Sequence, residues 1–242
     1  CLTQLSGERP ILAMFMVRAL CVLCLVVCGW ALVGLLPGGA RAAGPSLWLF
    51  LCNPLVLIHG ISGAHNDVVM LAPLLLGVSL ALRHSGKSAA IGVTTVLVVA
   101  ASLVKAPALI ALPFLPLAAV GIRNRIRALV TVVVTGVGAL LGCSSLLHLG
   151  WGWVAVIIGG PAKPSIWSPA SAISRIADAE GQGDAASLLL GVLLLVGLVA
   201  CWLWGAKGGA VSQAIGCALL LVPLATVTMQ PWYLLWSLPF LA

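Results

Sequence analysis

The sequence predicts an all-α fold, a polytopic transmembrane helical bundle, and three observations carry that expectation. Hydrophobic residues fill 62% of the 242 positions and charged residues only 7%, whereas soluble domains carry about a quarter charged residues. The apolar stretches are greasy all round, and several approach the roughly 20 residues that a spanning helix needs. Backbone groups facing lipid must bond within their own segment, which selects helices; the short alternating strands of a barrel do not occur in the pattern.

Taken in order, the apolar stretches run at about 11–36, 46–62, 66–82, 88–104, 106–121, 128–149, 186–204 and 211–229, and another begins near 232. They predict about eight to nine membrane segments in a single multi-pass domain over 1–242. The chain starts at Cys1 and ends within a fresh apolar run at Ala242, which reads as an internal fragment of a longer protein. Pro107 breaks the stretch that follows Lys105, so residues 88–121 are expected to fold as a hairpin of two short helices with Lys105 at its tip. Residues 150–185 form the one extended hydrophilic stretch, with Ser171–Ala179 expected as a short interfacial helix. Gly138 and Gly142 make a GxxxG spacing, suited to close helix contact.

The net charge of +7 sits in short clusters between apolar runs, which is the pattern of topology determinants and not of a nucleic-acid surface. Arg41, Arg83 with Lys87, Arg123 with Arg125 and Arg127, and Lys207 are therefore assigned to the cytoplasmic side. The same rule places the His59–Asp67 connection, the 150–185 loop and Gln230-Pro231-Trp232-Tyr233 on the outer face, together with residues 1–10. Of the eight cysteines, Cys21, Cys24 and Cys28 share a helix face at i, i+3 and i+7. With no His, Asp or Glu near them in sequence, they read as small buried apolar residues. No metal ligand set is assigned. A divalent metal is compatible with the sequence but not indicated by it, and no other cofactor is called for.

The segment Asn53-Pro54-Leu55-Val56-Leu57-Ile58-His59-Gly60-Ile61-Ser62-Gly63-Ala64-His65-Asn66-Asp67 stands out, because ionisable residues between two membrane segments mark a functional site by default. Gly86-Lys87-Ser88 lacks the earlier glycine of a phosphate-binding loop, and Gly60-Ile61-Ser62-Gly63-Ala64 lacks the second glycine and the strand–helix context of a nucleophile elbow.

With those residues in view, the chain resembles the polyprenol-phosphate-mannose-dependent α-1,6-mannosyltransferases of the actinobacterial lipomannan pathway, which are GT-C class membrane glycosyltransferases. The resemblance rests on Asn53-Pro54-Leu55 leading into His65-Asn66-Asp67, on Lys105-Ala106-Pro107, and on Gln230-Pro231-Trp232-Tyr233-Leu234-Leu235-Trp236. Ala64 departs from the family pattern, where a glycine is more usual before His-Asn-Asp. The resemblance implies a plasma-membrane transferase that moves mannose from a polyprenyl-phosphate-mannose donor to a mannan or lipid-linked mannoside acceptor on the extracytoplasmic face. It also implies that the class's catalytic acid lies in a first external loop outside this chain.

Such chemistry needs a carboxylate to accept the acceptor's proton and cations to stabilise the departing phosphate. Asp67 is the carboxylate best placed by sequence for the catalytic role. Its alternative is to complement the start of a helix with Asn66 as cap. His65 is a candidate for phosphate or sugar contact, or for a structural hydrogen bond. Lys105 is a candidate for the donor phosphate, or a lysine snorkelling to the interface. Trp232 and Tyr233 suit an acceptor groove, and Trp167 with Trp151 and Trp153 suits a sugar platform; all of these also fit an interfacial aromatic belt. Arg175 and Lys163 are further phosphate candidates. A secondary transporter is the rival reading, since broken helices and outward polar residues suit that class as well.

Overall fold

The computed structural model describes residues 9–36, 39–41, 43–84, 87–146 and 164–241. Every regular element among them is helical. Helix α1 (Pro10–Leu35) opens with proline at its first position, where the missing N–H costs nothing. Helix α2 (Gly44–Leu51) is followed, across Cys52–Leu55, by a π-helical segment Val56–Ser62, and the two are bent by 62°. The bend has a local cause. Asn53 accepts the Leu55 N–H on its side-chain oxygen at 2.9 Å, an Asx turn that competes with the helix, and Pro54 removes a backbone donor.

Helices α3 (Asp67–Arg83) and α4 (Ser88–Val104) form the centre of the bundle. Their close approach rests on Gly77, where an added Cβ would meet Thr94 and Leu97 at 3.3 Å. The buried Thr94 hydroxyl donates to the Gly77 carbonyl at 2.8 Å and locks that crossing. After Lys105 the chain turns back as a proline-rich 3₁₀ helix, Ala106–Ala118. Pro107, Pro113 and Pro116 remove donors that an α-helix would need, so the tighter winding prevails. At about 2.0 Å per residue its 13 residues span roughly 26 Å, close to the rise of the 17-residue α4. The expected hairpin with Lys105 at its tip is therefore present.

Helix α5 (Ile122–Leu146) packs on α4 and on the 3₁₀ helix, and α6 (Pro169–Ala179) precedes α7 (Gly183–Ala206). Helix α8 (Val211–Ala225) joins α7 to the 3₁₀ helix, and a second 3₁₀ turn, Pro231–Trp236, leads into the short α9 (Leu238–Leu241). One continuous core runs through these elements, with Phe50, Met70, Leu71, Leu74, Ile91, Leu115, Ile215 and Leu219 fully enclosed.

Among the described residues three helices, α1, α5 and α7, are long and apolar enough to cross a membrane, and α2 with the π-helical segment makes up to a fourth. Fewer segments reach spanning length than the apolar pattern alone suggests, because prolines and the Asn53 turn shorten the others. Large apolar side chains stay exposed along α5 and α7, among them Val130, Val134, Leu188 and Leu195. Apolar surface on that scale is the face a bilayer covers. The protein is a helical membrane protein.

Two ends of the bundle differ in charge. Arg83 at the end of α3 donates Nε to the Gly34 carbonyl at 3.1 Å, so α1 and α3 finish together. Arg125 bridges the Ala119 and Ala206 carbonyls, bringing the start of α5 to the end of α7. The cations assigned to one side by sequence thus lie at connections remote from Lys105.

Ala64 has φ of +48°, in the left-handed region where only glycine sits without strain. The one departure from the family pattern falls at the position whose backbone asks for glycine. Ala64→Gly is expected to stabilise the protein by about 0.5–1 kcal/mol, the relief of about 1–2 kcal/mol of strain less the greater freedom of an unfolded glycine. Thermal unfolding of the two proteins in the same lipid checks this, with Ala64→Val, a β-branched side chain at positive φ, expected to fall below both.

Candidate active site

Three distant parts of the chain meet at the end of the bundle opposite Arg83. Asp67 is the first residue of α3 and is completely buried. Its Oδ1 accepts a hydrogen bond from Lys105 Nζ at 2.6 Å and another from Trp236 Nε1 at 2.5 Å. The helix start favours a carboxylate there, since the first N–H groups carry partial positive charge. Lys105 reaches it because the chain is extended at that residue, between α4 and the 3₁₀ helix. Its ammonium also lies 4.1 Å from the centre of the Tyr233 ring and 5.1 Å from that of Trp236, an aromatic cradle suited to a cation. Burial lowers the Lys105 pKa from its ordinary value, and Asp67 opposes that shift by charge and hydrogen bond.

The 3₁₀ winding of Pro231–Trp236 explains how one short turn serves two purposes. Side chains three apart eclipse in such a helix, so Tyr233 and Trp236 stack with ring centres 4.5 Å apart. Trp232 points elsewhere and stacks on His65 at 4.4 Å, with His59 5.1 Å away on the same ring. His59 and His65 approach each other at 5.6 Å. The π-helical segment and the Ala64 turn place both histidines against that one tryptophan.

Each sequence-derived candidate now has a place. Asp67, Lys105 and Tyr233 form one cluster, and His65 with Trp232 forms a neighbouring, partly open aromatic shelf. Asn66 stands exposed beside them and is not the expected cap. It occupies the cap position, but its backbone is already helical and its side chain makes no capping bond, whereas a capping side chain needs extended backbone. Trp167 and Arg175 are not drawn into the cluster. Trp167 is exposed, and Arg175 donates Nε to the Ser171 carbonyl of its own helix. Their segment is nonetheless tied to the site's approach, because the Ser165 N–H donates to Val227 at 2.7 Å and the Ser168 hydroxyl to Thr226 at 2.6 Å. Trp151, Trp153 and Lys163 lie outside the described residues.

Two participants escaped the sequence reading. Trp236 was seen only as the end of a motif, yet its i, i+3 spacing from Tyr233 marks a shared face once the segment is known to be 3₁₀. His59 carried no signal beyond its proximity to His65. Among the described residues no group of three His, Cys, Asp or Glu side chains is arranged to hold a metal ion.

Burial lowers the His65 pKa, with His59 and Lys105 acting in the same direction and Asp67 opposing. The shift favours the uncharged His65 ring, which stacks on Trp232. Protonation is expected only below the ordinary histidine value of about 6.5. If the shelf binds sugar with His65 uncharged, activity falls on the acid side with a midpoint under that value. A pH–rate profile checks this, and the limb should vanish in His65→Phe.

This fold and site define a membrane protein with a buried carboxylate–ammonium–indole cluster at one end of its bundle. The chain belongs to the alpha-(1->6)-mannopyranosyltransferase family: the family described as "Alpha-(1->6)-mannopyranosyltransferase, N-terminal domain" matches residues 1–121, half of the chain. It is similar to a probable alpha-(1->6)-mannopyranosyltransferase of Mycolicibacterium smegmatis, 27% identical over 98% of this chain and 50% of that protein. Alpha-(1->6)-mannopyranosyltransferase A of Mycobacterium tuberculosis is also 27% identical, over 98% of this chain and 49% of its own length. The protein of the same name from Corynebacterium glutamicum is 28% identical over 83% of this chain and 46% of its own. The chain therefore spans about half the length of the curated relatives it matches. No solved structure matches it.

Proposed function

We propose that this protein is a membrane mannosyltransferase that moves mannose from a polyprenyl-phosphate-mannose donor to an α-1,6-mannan or lipid-linked mannoside acceptor. The observation that carries the reading is the meeting of Asp67, Lys105 and the Trp232–Trp236 turn at one end of the bundle, in a chain whose relatives are named alpha-(1->6)-mannopyranosyltransferases. The basic connections at the opposite end of the bundle support an extracytoplasmic position for the site. Family membership favours this reading over a transporter.

In a single inverting displacement, the acceptor oxygen bonds to the anomeric carbon as the bond to phosphate oxygen breaks. The acceptor proton goes to a carboxylate and the lipid phosphate leaves with the electron pair. Lys105 is the cation beside which that charge develops. Asp67 is enclosed, with Oδ1 doubly occupied and Oδ2 buried without a partner, so its role here is to hold Lys105 in position. The proton acceptor is accordingly assigned to another carboxylate, as the resemblance to the GT-C class implies. The shelf of Trp232, His65 and His59 offers apolar ring faces to a sugar.

The test supplies the protein in membranes with labelled polyprenyl-phosphate-mannose and a short α-1,6-mannoside. Transfer that stops when GDP-mannose replaces the lipid donor supports the reading. No transfer from the lipid donor, at normal expression, overturns it.

A further inference from the structure

Arg18 stands eight residues into α1 from Pro10, about 12 Å along an apolar helix of 26 residues. A cation there is expensive unless something uses it. The only ion pair among the described residues is Lys105–Asp67, so Arg18 has no carboxylate. Its Nη2 donates to the Ser62 carbonyl, the last of the π-helical segment, at 3.2 Å. Its Nε is buried and has no hydrogen-bond partner among the described residues. A merely snorkelling arginine would carry its nitrogens out to water. This one spends Nη2 at an exposed position on the irregular backbone that leads to His65 and Asp67, and keeps its buried Nε unfilled.

We propose that Arg18, braced by Ser62, is a binding position for a phosphate ester carried on a lipid, separate from the Lys105–Asp67 pair. The guanidinium fork matches two phosphate oxygens, and its unused Nε supplies one of the two donors. Charge agrees with this ligand. Lys105 already faces Asp67, and Arg18, with no carboxylate partner among the described residues, adds a positive charge for a phosphate group. Depth agrees as well, since a helix of this length overhangs the roughly 30 Å hydrocarbon core and puts Arg18 within side-chain reach of the headgroup layer. The identity of the lipid as a prenyl chain rests on the transferase reading; the phosphate chemistry does not.

The test reconstitutes the protein in phosphatidylcholine nanodiscs with a photoreactive prenyl phosphate, and measures mannosyl transfer in parallel. Wild type is compared with Arg18→Gln and Arg18→Lys. The expected result is labelling of the peptide containing residues 10–35, with competition by prenyl phosphate and none by prenyl alcohol. Affinity should weaken about tenfold or more in Arg18→Gln, the scale of one lost charged hydrogen bond, and less in Arg18→Lys. Transfer should show a raised KM with kcat little changed. Phosphatidylglycerol separates the sources: if it competes equally the site takes lipid headgroup phosphates in general, and if it does not the site takes the prenyl ester.

Labelling and affinity unchanged in Arg18→Gln would overturn the proposal. Should that variant fail to fold, adducts in wild type that avoid residues 10–35 overturn it just as well. Transfer by wild type with labelling independent of Arg18 leaves the transferase reading standing and removes this site. Absent transfer with labelling dependent on Arg18 does the reverse.

Discussion

Lys105→Ala is expected to destabilise the protein by about 3–5 kcal/mol, because it strips the countercharge from a fully buried carboxylate. The loss exceeds what the pair contributes, since the larger part is the penalty for leaving Asp67 charged and enclosed. The double variant Asp67→Asn/Lys105→Met removes both charges with little change of shape. It should recover most of the stability without recovering transfer, which separates the scaffold role of the pair from its chemistry. Thermal unfolding of wild type, Asp67→Asn, Lys105→Met and the double variant in one lipid, with transfer assayed alongside, checks both halves. Full additivity of the single variants would show that the two groups do not act on each other. Asp67→Asn alone leaves an ammonium with a depressed pKa and no opposing carboxylate. A base whose folded pKa lies below its unfolded value destabilises the fold while charged. The stability of Asp67→Asn should therefore rise as pH climbs through the depressed value towards the ordinary lysine range.

The sequence made the apolar skeleton legible because membrane segments announce themselves by composition. The stretch expected over 88–104 is the helix Ser88–Val104, and the tip at Lys105 follows from Pro107. Composition does not register a break made by one side chain, so 46–62 read as a single span although Asn53 and Pro54 bend it by 62°. The meeting of the three motifs was legible as topology, since basic connections sort the rest to one end. What the motifs do on meeting was not. The Trp236–Asp67 bond joins residues far apart in the chain, and depends on a 3₁₀ turn that no hydrophobic period reveals. Trp167 and Arg175 lie apart from the cluster for a related reason: an expectation of a shared side is a weaker condition than a shared site.

That 3₁₀ turn gives the second large effect. Trp236→Phe preserves an aromatic face for Tyr233 but deletes the indole N–H that binds Asp67. A hydrogen bond to a buried charged group is worth about 1.5–3 kcal/mol, and no water is placed to replace it, because both Asp67 and Trp236 are enclosed. Stability should fall by about that much. Transfer should fall further than stability alone explains, since Oδ1 would then be held by Lys105 only and the ammonium would be free to shift towards the carboxylate's second oxygen. A proportionate rise in KM, with kcat intact, would make Trp236 a packing residue. A drop in kcat at saturating donor, reversed by neither lower temperature nor added lipid, would show that the indole fixes where Lys105 meets the leaving phosphate. Tyr233→Leu supplies the contrast: it removes the ring 4.1 Å from the ammonium and spares the Asp67 bond. Its loss should be about 0.5–2 kcal/mol, the range of a cation–π contact, and smaller than that of Trp236→Phe.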